Sequence, residues 1–207
     1  SFFYNLNMNF ELLVATNNAH KLKEIRTILS PHKITVYGMS DLNIQIDEVE
    51  ENGATYFDNA LLKAQALAKV TTMPIIADDS GLEILSMDNK PGMFSSRYAD
   101  SFKNKYQDAF LDIFKNIEGK DRSARFVCDI VLLNVEDKPL FFEGIAQGKI
   151  SDHPSGDNGF GYDPIFISDE LNKCYALLTD EEKNKVSHRA KALKKLLTYL
   201  KINGLAI

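Results

Sequence analysis

The sequence predicts an α/β protein built on a mixed sheet, and three observations carry that expectation. Short apolar runs of strand type alternate with segments of helical periodicity through residues 10–77. Two long β-rich runs then stand either side of Glu136-Asp137-Lys138-Pro139, the pattern of an antiparallel hairpin. No repeat, linker or low-complexity tract interrupts the 207 residues, a length that suits one compact domain or one domain with a small lobe.

The elements follow in order. Phe10–Ala15 is a short apolar strand that ends at Thr16-Asn17-Asn18, a turn cluster able to cap a helix. Residues 19–29 place Leu22, Ile25, Ile28 and Leu29 at helical spacing, and Ser30-Pro31 stops that helix. A strand is expected near residues 34–37, then a polar stretch with Asp47, Glu48, Glu50 and Glu51. Gly53 opens onto a helix over residues 55–70, and residues 74–77 form a short buried strand that ends at Asp78-Asp79-Ser80-Gly81. Pro91-Gly92 marks a turn, and residues 102–117 read as an amphipathic helix. The hairpin strands cover residues 124–135 and 140–150, and residues 151–163 make a glycine-rich loop. Thr179 with Glu182 fits a capping box. Ser187 caps a last helix through Leu200, and Gly204 follows as its C-terminal cap.

Composition narrows the function classes. With 44% hydrophobic residues a sizeable core can be buried, and no apolar run approaches the ~18 residues of a membrane span. A net charge of −5 argues against a non-specific nucleic-acid binder, which needs surplus Lys and Arg to displace counterions. Any positive charge for an anionic ligand must therefore be gathered locally or brought by a metal. Cys128 and Cys174 have neither metal-ligand spacing nor the density of a disulfide scaffold, so both read as reduced core thiols. The first residues lack a basic stretch and a cleavage pattern. The expectation is a cytoplasmic protein with residues 1–8 as an N-terminal extension or expression remnant and residues 9–207 as a single domain.

Four segments could carry chemistry. The strand–turn–helix at Thr16–Lys21 offers backbone N–H groups at a helix start, which bind anions, with Lys21 one turn in; an ordinary capped helix with a solvated lysine fits it too. The acidic set Glu50-Glu51 and Asp78-Asp79 suits a hard cation such as Mg²⁺, or else a solvated loop and a double turn cap. On a strand, adjacent aspartates face opposite ways, so one can meet a ligand while the other braces the loop. Gly156–Pro164 packs three glycines around Phe160, Tyr162 and Asp163, where a backbone can approach a flat ligand; the alternative is a bare turn. Lys183 and Ser187-His188-Arg189 bring hydrogen-bond donors to a helix start, where a His-Arg pair by itself is more often structural. Walker, Rossmann, His-Glu-x-x-His, nucleophile-elbow and Nudix patterns do not occur.

Taken in order, these segments resemble the inosine triphosphate pyrophosphatase family. The anchors are Thr16-Asn17-Asn18-Ala19-His20-Lys21 with Glu24, Glu50-Glu51-Asn52-Gly53, Phe57-Asp58-Asn59-Ala60 with Lys63, and Ala77-Asp78-Asp79-Ser80-Gly81-Leu82. They continue through Pro91-Gly92 with Ser96-Arg97-Tyr98, residues 159–166, Glu182-Lys183 and Ser187-His188-Arg189. The resemblance implies an elongated mixed β-sheet flanked by helices in two lobes, with a central nucleotide cleft, usually as a homodimer. It implies a substrate-binding set of Thr16, Asn17, Asn18, Ala19, His20 and Lys21 at the phosphates, Ser80, and Phe160, Gly161, Tyr162, Asp163, Lys183, His188 and Arg189 around base and sugar. Glu50 and Asp79 would hold Mg²⁺, and Asp79 would also be the catalytic base. Asn17 and Asn158 stand where many members have glycine, and Phe94 where many have tyrosine.

The implied reaction is attack of water on the α-phosphorus of ITP, dITP or XTP, giving a monophosphate and pyrophosphate. Lys21 and Lys63 would stabilise the growing charge. A donor such as Arg189 or His188 would favour the six-carbonyl of hypoxanthine or xanthine over the amino group of adenine. Two other readings stand beside this one: a relative acting on pyrimidine or modified triphosphates, and a nucleotide-binding module without turnover.

Overall fold

The computed structural model describes residues 8–207, so the expected extension lies almost wholly outside the described residues. In chain order the elements begin with β1 (Phe10–Val14), α1 (Ala19–Leu29), β2 (Ile34–Gly38), α2 (Tyr56–Ala68), β3 (Ile75–Ile84) and the two-residue β4 (Lys90–Pro91). There follow α3 (Ser95–Asp100), α4 (Tyr106–Asn116), β5 (Ser123–Leu133), β6 (Leu140–Ile150), β7 (Phe166–Ser168), α5 (Asp180–Val186) and α6 (His188–Ile202). The sheet runs β2-β1-β3-β5-β6-β7, with β4 paired to β3. β1 is parallel to both β2 and β3, whereas β3–β4 and β6–β7 are antiparallel, so the sheet is mixed as expected. The connection between β5 and β6 is too short for the crossover that a parallel pair requires.

Local chemistry explains most boundaries. Asn18 caps α1 by accepting the backbone N–H groups of His20 and Lys21. Thr55 and Asp58 form a reciprocal capping box on α2, and Thr179 and Glu182 form the expected one on α5. Ser187 Oγ accepts the Ala190 N–H at the start of α6, and Gly204 follows that helix at φ +70°.

Four elements differ from expectation. β3 does not stop at Ala77 but continues through Asp78-Asp79-Ser80-Gly81 to Ile84, because a place between β1 and β5 overrides the poor strand propensity of those residues. The helix expected over residues 102–117 begins only at Tyr106, after Lys105 adopts φ +47°. The short α3 and β7 were not anticipated; both are below the length at which periodicity can be read.

The described residues divide into two compact units. The first comprises the chain through Asp78 with Ile130–Phe142 and Ala192–Ile207; the second comprises Asp79–Asp129 and Glu143–Lys191. In the first, Ala60, Ala64 and Leu67 of α2 pack on Leu13, Ile75, Ala77 and Val131. In the second, Phe110 and Ile113 of α4 pack with Leu82, Ile84, Phe126, Phe166 and Tyr175. Cys128 and Cys174 are buried and unpaired with each other, in keeping with core thiols. Among the described residues no helix is long and apolar enough to cross a membrane.

Gly148 marks a tight contact in the second core. A Cβ there would lie 2.2 Å from the Ile167 carbonyl oxygen and 2.5 Å from the Phe166 ring, both on the neighbouring strand. Gly148→Ala is therefore expected to lower stability by about 1–3 kcal/mol, the range for overpacked cores, read as a shift of the urea midpoint at constant slope.

Candidate active site

The first unit gathers its cations around one aspartate. Lys21, in the first turn of α1, places Nζ 3.2 Å from the Asp78 carboxylate, which is buried. Lys63, from the middle of α2, donates to the main-chain carbonyl of the same Asp78 and pairs with Glu51 at 3.0 Å. Asp78 thus fixes two ammonium groups by two different oxygens. The α2 capping box keeps Lys63 in register, while Gly53 N–H donates to Asn59 Oδ1 at 2.8 Å and ties the acidic loop to the same helix. Glu50 is exposed on that loop.

The turn expected to receive an anion has its backbone donors partly engaged by local capping. Asn18 Oδ1 already accepts from His20 N–H and Lys21 N–H, and Thr16 Oγ1 accepts from Asn18 N–H. Asn17–His20 form an exposed, self-capped turn, and the Lys21 ammonium that follows them is held by Asp78.

The second unit is organised by Asp163. Its Oδ2 accepts from Lys183 Nζ at 2.6 Å and from Phe160 N–H at 3.0 Å. Both members of the ion pair are buried, so each desolvated charge depends on the other, and removing one leaves a charge uncompensated. Gly159 makes the turn possible: φ is +71°, and a Cβ would sit 2.1 Å from Asp163 Oδ2. The Phe160 ring then lies under two cations, with Lys183 Nζ 4.8 Å and Arg189 Cζ 5.9 Å from its centroid. Arg189 is fully buried and donates from Nη2 to Ser80 Oγ at 3.2 Å. The His188 ring stacks on Phe126 at 4.6 Å and 14°. Phe160, Asp163, Lys183, Arg189 and Ser80 are therefore brought together. Tyr162, expected among the substrate contacts, is buried, and its hydroxyl donates to the Ser95 carbonyl; Gly161 beside it is part-buried at φ +63°.

Asp79 is 8% exposed and shares an electrostatic environment with carboxylates that sequence reasoning passed over. Asp129 on β5 is buried and hydrogen-bonded to Glu143 on β6, with Asp79 and Glu83 adding negative charge. Burial first, then the Glu143 bond and charge, push the Asp129 carboxyl up to about 8. Glu83 is itself bound through both oxygens by Arg125, at 3.1 and 3.3 Å. The signal was present: Asp129 interrupts the apolar run Phe126–Leu133, and a charge inside a buried strand demands a partner. Among the described residues no group of three or more His, Cys, Asp or Glu is arranged around a metal position.

Comparison with known proteins decides the family. The Ham1 family model matches residues 12–199. The chain belongs to the Ham1 family. It is 42% identical over 188 residues to the dITP/XTP pyrophosphatase of Bacillus subtilis, covering 90% of this chain and 94% of that protein. It is 43% identical over 192 residues to the dITP/XTP pyrophosphatase of Halalkalibacterium halodurans, covering 92% and 98%. Among solved structures, the Staphylococcus aureus Ham1 protein superposes with a TM-score of 0.80 at 38% identity, covering 93% of this chain and 99% of that one. A HAM1 protein from Coxiella burnetii gives 0.81, also at 38% identity, covering 93% and 98%. The expected family and α/β class both stand.

The Asp129 carboxyl binds its proton more tightly folded than unfolded, where its ordinary value is 3.8. Its contribution to stability is therefore complete below about pH 4 and lost as pH rises to about 8. Thermal unfolding at pH 5.5 and 8.5 should show a larger fall in Tm for the wild type than for Asp129→Asn, which has no proton to lose.

Proposed function

We propose that this Ham1-family protein is a nucleoside triphosphate pyrophosphatase that converts non-standard purine nucleotides (dITP, XTP and ITP) to the monophosphate and pyrophosphate. Such an enzyme removes miscoding precursors before a polymerase can use them. The observation that carries the proposal is the near-full-length relationship, above 40% identity, to proteins named dITP/XTP pyrophosphatase. Residues 9–207 act in this reading as one functional domain.

The roles follow from the chemistry of each group. Lys21 and Lys63 offer cations to the triphosphate, and both are held by Asp78 before substrate arrives, so their positioning entropy is already spent. The turn at Thr16, Asn17, Asn18, Ala19 and His20 accommodates phosphate oxygens. Asp79 takes the proton of the attacking water, and Ser80, fixed by Arg189, contacts the substrate. Phe160 presents an aromatic face to the base, with Lys183 and Arg189 as the cationic donors and Asp163 holding the loop. Donors of this kind pair with the six-carbonyl of hypoxanthine and xanthine and are left unsatisfied by adenine. His188 completes this group beside Arg189.

The donor chemistry of Glu50 and Asp79 fits Mg²⁺, which takes one or two carboxylates and completes its shell with waters and substrate phosphates. When bound it would neutralise phosphate charge and lower the pKa of water. The remaining assignment, a homodimer, is taken from the family resemblance and is tested by sedimentation analysis.

Pyrophosphate release should be measured from ITP, XTP, dITP, GTP and ATP with and without Mg²⁺. The proposal expects strong, metal-dependent release from the first three alone. Orthophosphate release, or equal turnover of ATP, would overturn it. Within that assay Asp79→Asn is expected to lower kcat by about 10²–10⁴, the usual contribution of a general base, with the fold intact by circular dichroism. Lys21→Ala should lower kcat/KM for every triphosphate alike, since it meets phosphate and not base. A loss confined to one base would move Lys21 out of the phosphate site.

A further inference from the structure

Ser95 sits at the first residue of α3, carries none of the roles assigned above, and joins three segments of the second unit. Its Oγ accepts the backbone N–H of Leu82 on β3 at 2.9 Å and donates to the Gly92 carbonyl at 2.6 Å. Its own carbonyl accepts the hydroxyl of Tyr162, from the loop that carries Phe160 and Asp163. All three bonds are buried, where a misplaced donor or acceptor is expensive and geometry is held tightly.

Each partner is close to a residue with a proposed role. Leu82 lies three residues after Asp79 and two after Ser80 on the same strand. Tyr162 lies between Phe160 and Asp163 in sequence. The Tyr162 ring is clamped edge-on against Tyr106, with centroids 5.1 Å apart, and lies 6.2 Å from Phe110. Tyr106 also comes within 3.8 Å of where a Cβ on Gly161 would stand. Burial raises the Tyr162 hydroxyl well above the ordinary tyrosine range, so it remains a donor at any pH of interest.

We infer that Ser95 and Tyr162 are positioning residues for the reaction: the Tyr162–Ser95–Leu82 chain of hydrogen bonds sets the base-recognising loop against the strand that carries Asp79 and Ser80. The inference rests on the proposed function for what those residues do, and on the hydrogen bonds for how they are held. Neither residue touches the reacting atoms. The hydroxyl of Tyr162 acts through the placement of Phe160, and that of Ser95 through the placement of β3.

The two ends of the chain should fail differently. Tyr162→Phe keeps the clamped ring and removes only the tie to Ser95, so the loop loosens while β3 stays bound to Ser95 Oγ. The expected result with ITP is a KM raised about three- to tenfold, the equivalent of one neutral hydrogen bond, at a kcat within about twofold of wild type. Ser95→Ala also frees the Leu82 N–H and is expected to lower kcat as well as raise KM. Both variants are assayed with the wild type for pyrophosphate release, and their Tm and active-site titre are recorded. Unchanged kinetics in Tyr162→Phe would overturn the inference. So would a fall in kcat that merely tracks Tm and the active fraction at constant KM, since that is a structural effect only. If Tyr162→Phe does not fold, an unchanged kcat and KM in Ser95→Ala overturns it equally. A wild type that releases no pyrophosphate from ITP sinks the proposed function itself, a result distinct from an active wild type with indifferent variants.

Discussion

The pleat of β3 is the constraint on which the proposed chemistry depends. Successive residues of a strand face opposite ways, so Asp78 and Asp79 cannot serve the same partner. Asp78 faces Lys21 of α1 and is consumed as a structural anchor for the two lysines. Asp79 lies on the opposite face, near enough to Asp129 for its charge to help raise that carboxyl. Ser80, turned back again, receives Arg189. Consecutive side chains thus acquire different partners from the alternation of the strand and the elements that meet it. The strand can hold so polar a run because neighbours pair on both sides of it and Lys21, Lys63 and Arg189 meet polar atoms of Asp78 and Ser80.

The second unit solves a different problem, which is how to present an aromatic face without burying it. Asp163 does this by reaching back to the Phe160 amide while neutralising Lys183. Lys183 in turn lies 5.9 Å from the Tyr175 ring centroid as well as near Phe160, so one buried ammonium supports two aromatic walls. The ion pair contributes orientation more than stability, because desolvating both charges offsets most of their attraction. The glycines at 159 and 161 supply positive φ on either side of Phe160, and no other residue type could hold that loop at comparable ease.

The acidic group of Asp129, Glu143, Asp79 and Glu83 shows how a protein of net charge −5 stores negative charge in its interior. Arg125 balances Glu83, and the Asp129–Glu143 bond is kept by sharing a proton, which spares Asp129 the full cost of burial as an anion. This arrangement makes the electrostatics near Asp79 depend on two strands that no sequence motif marks.

Much of this was legible in the sequence. Periodicity and capping residues located α1, α2 and α6 to within about two residues, and Thr179 with Glu182 marked the start of α5, since caps such as Asn18 and Ser187 act locally. The hairpin was legible for the same reason, and the ordered anchors from Thr16 to Arg189 identified the family. What the sequence could not decide were the partners made across the fold. The continuation of β3 through two aspartates, the commitment of Asp78 to Lys21, the hold of Asp163 on Phe160, the tie of Tyr162 to Ser95 and the pairing of Asp129 with Glu143 all join residues from separate elements. Caps and turns are settled by neighbours a few residues apart, and the sequence displays them; buried polar contacts are settled by which strands and helices meet, and only the tertiary structure decides that.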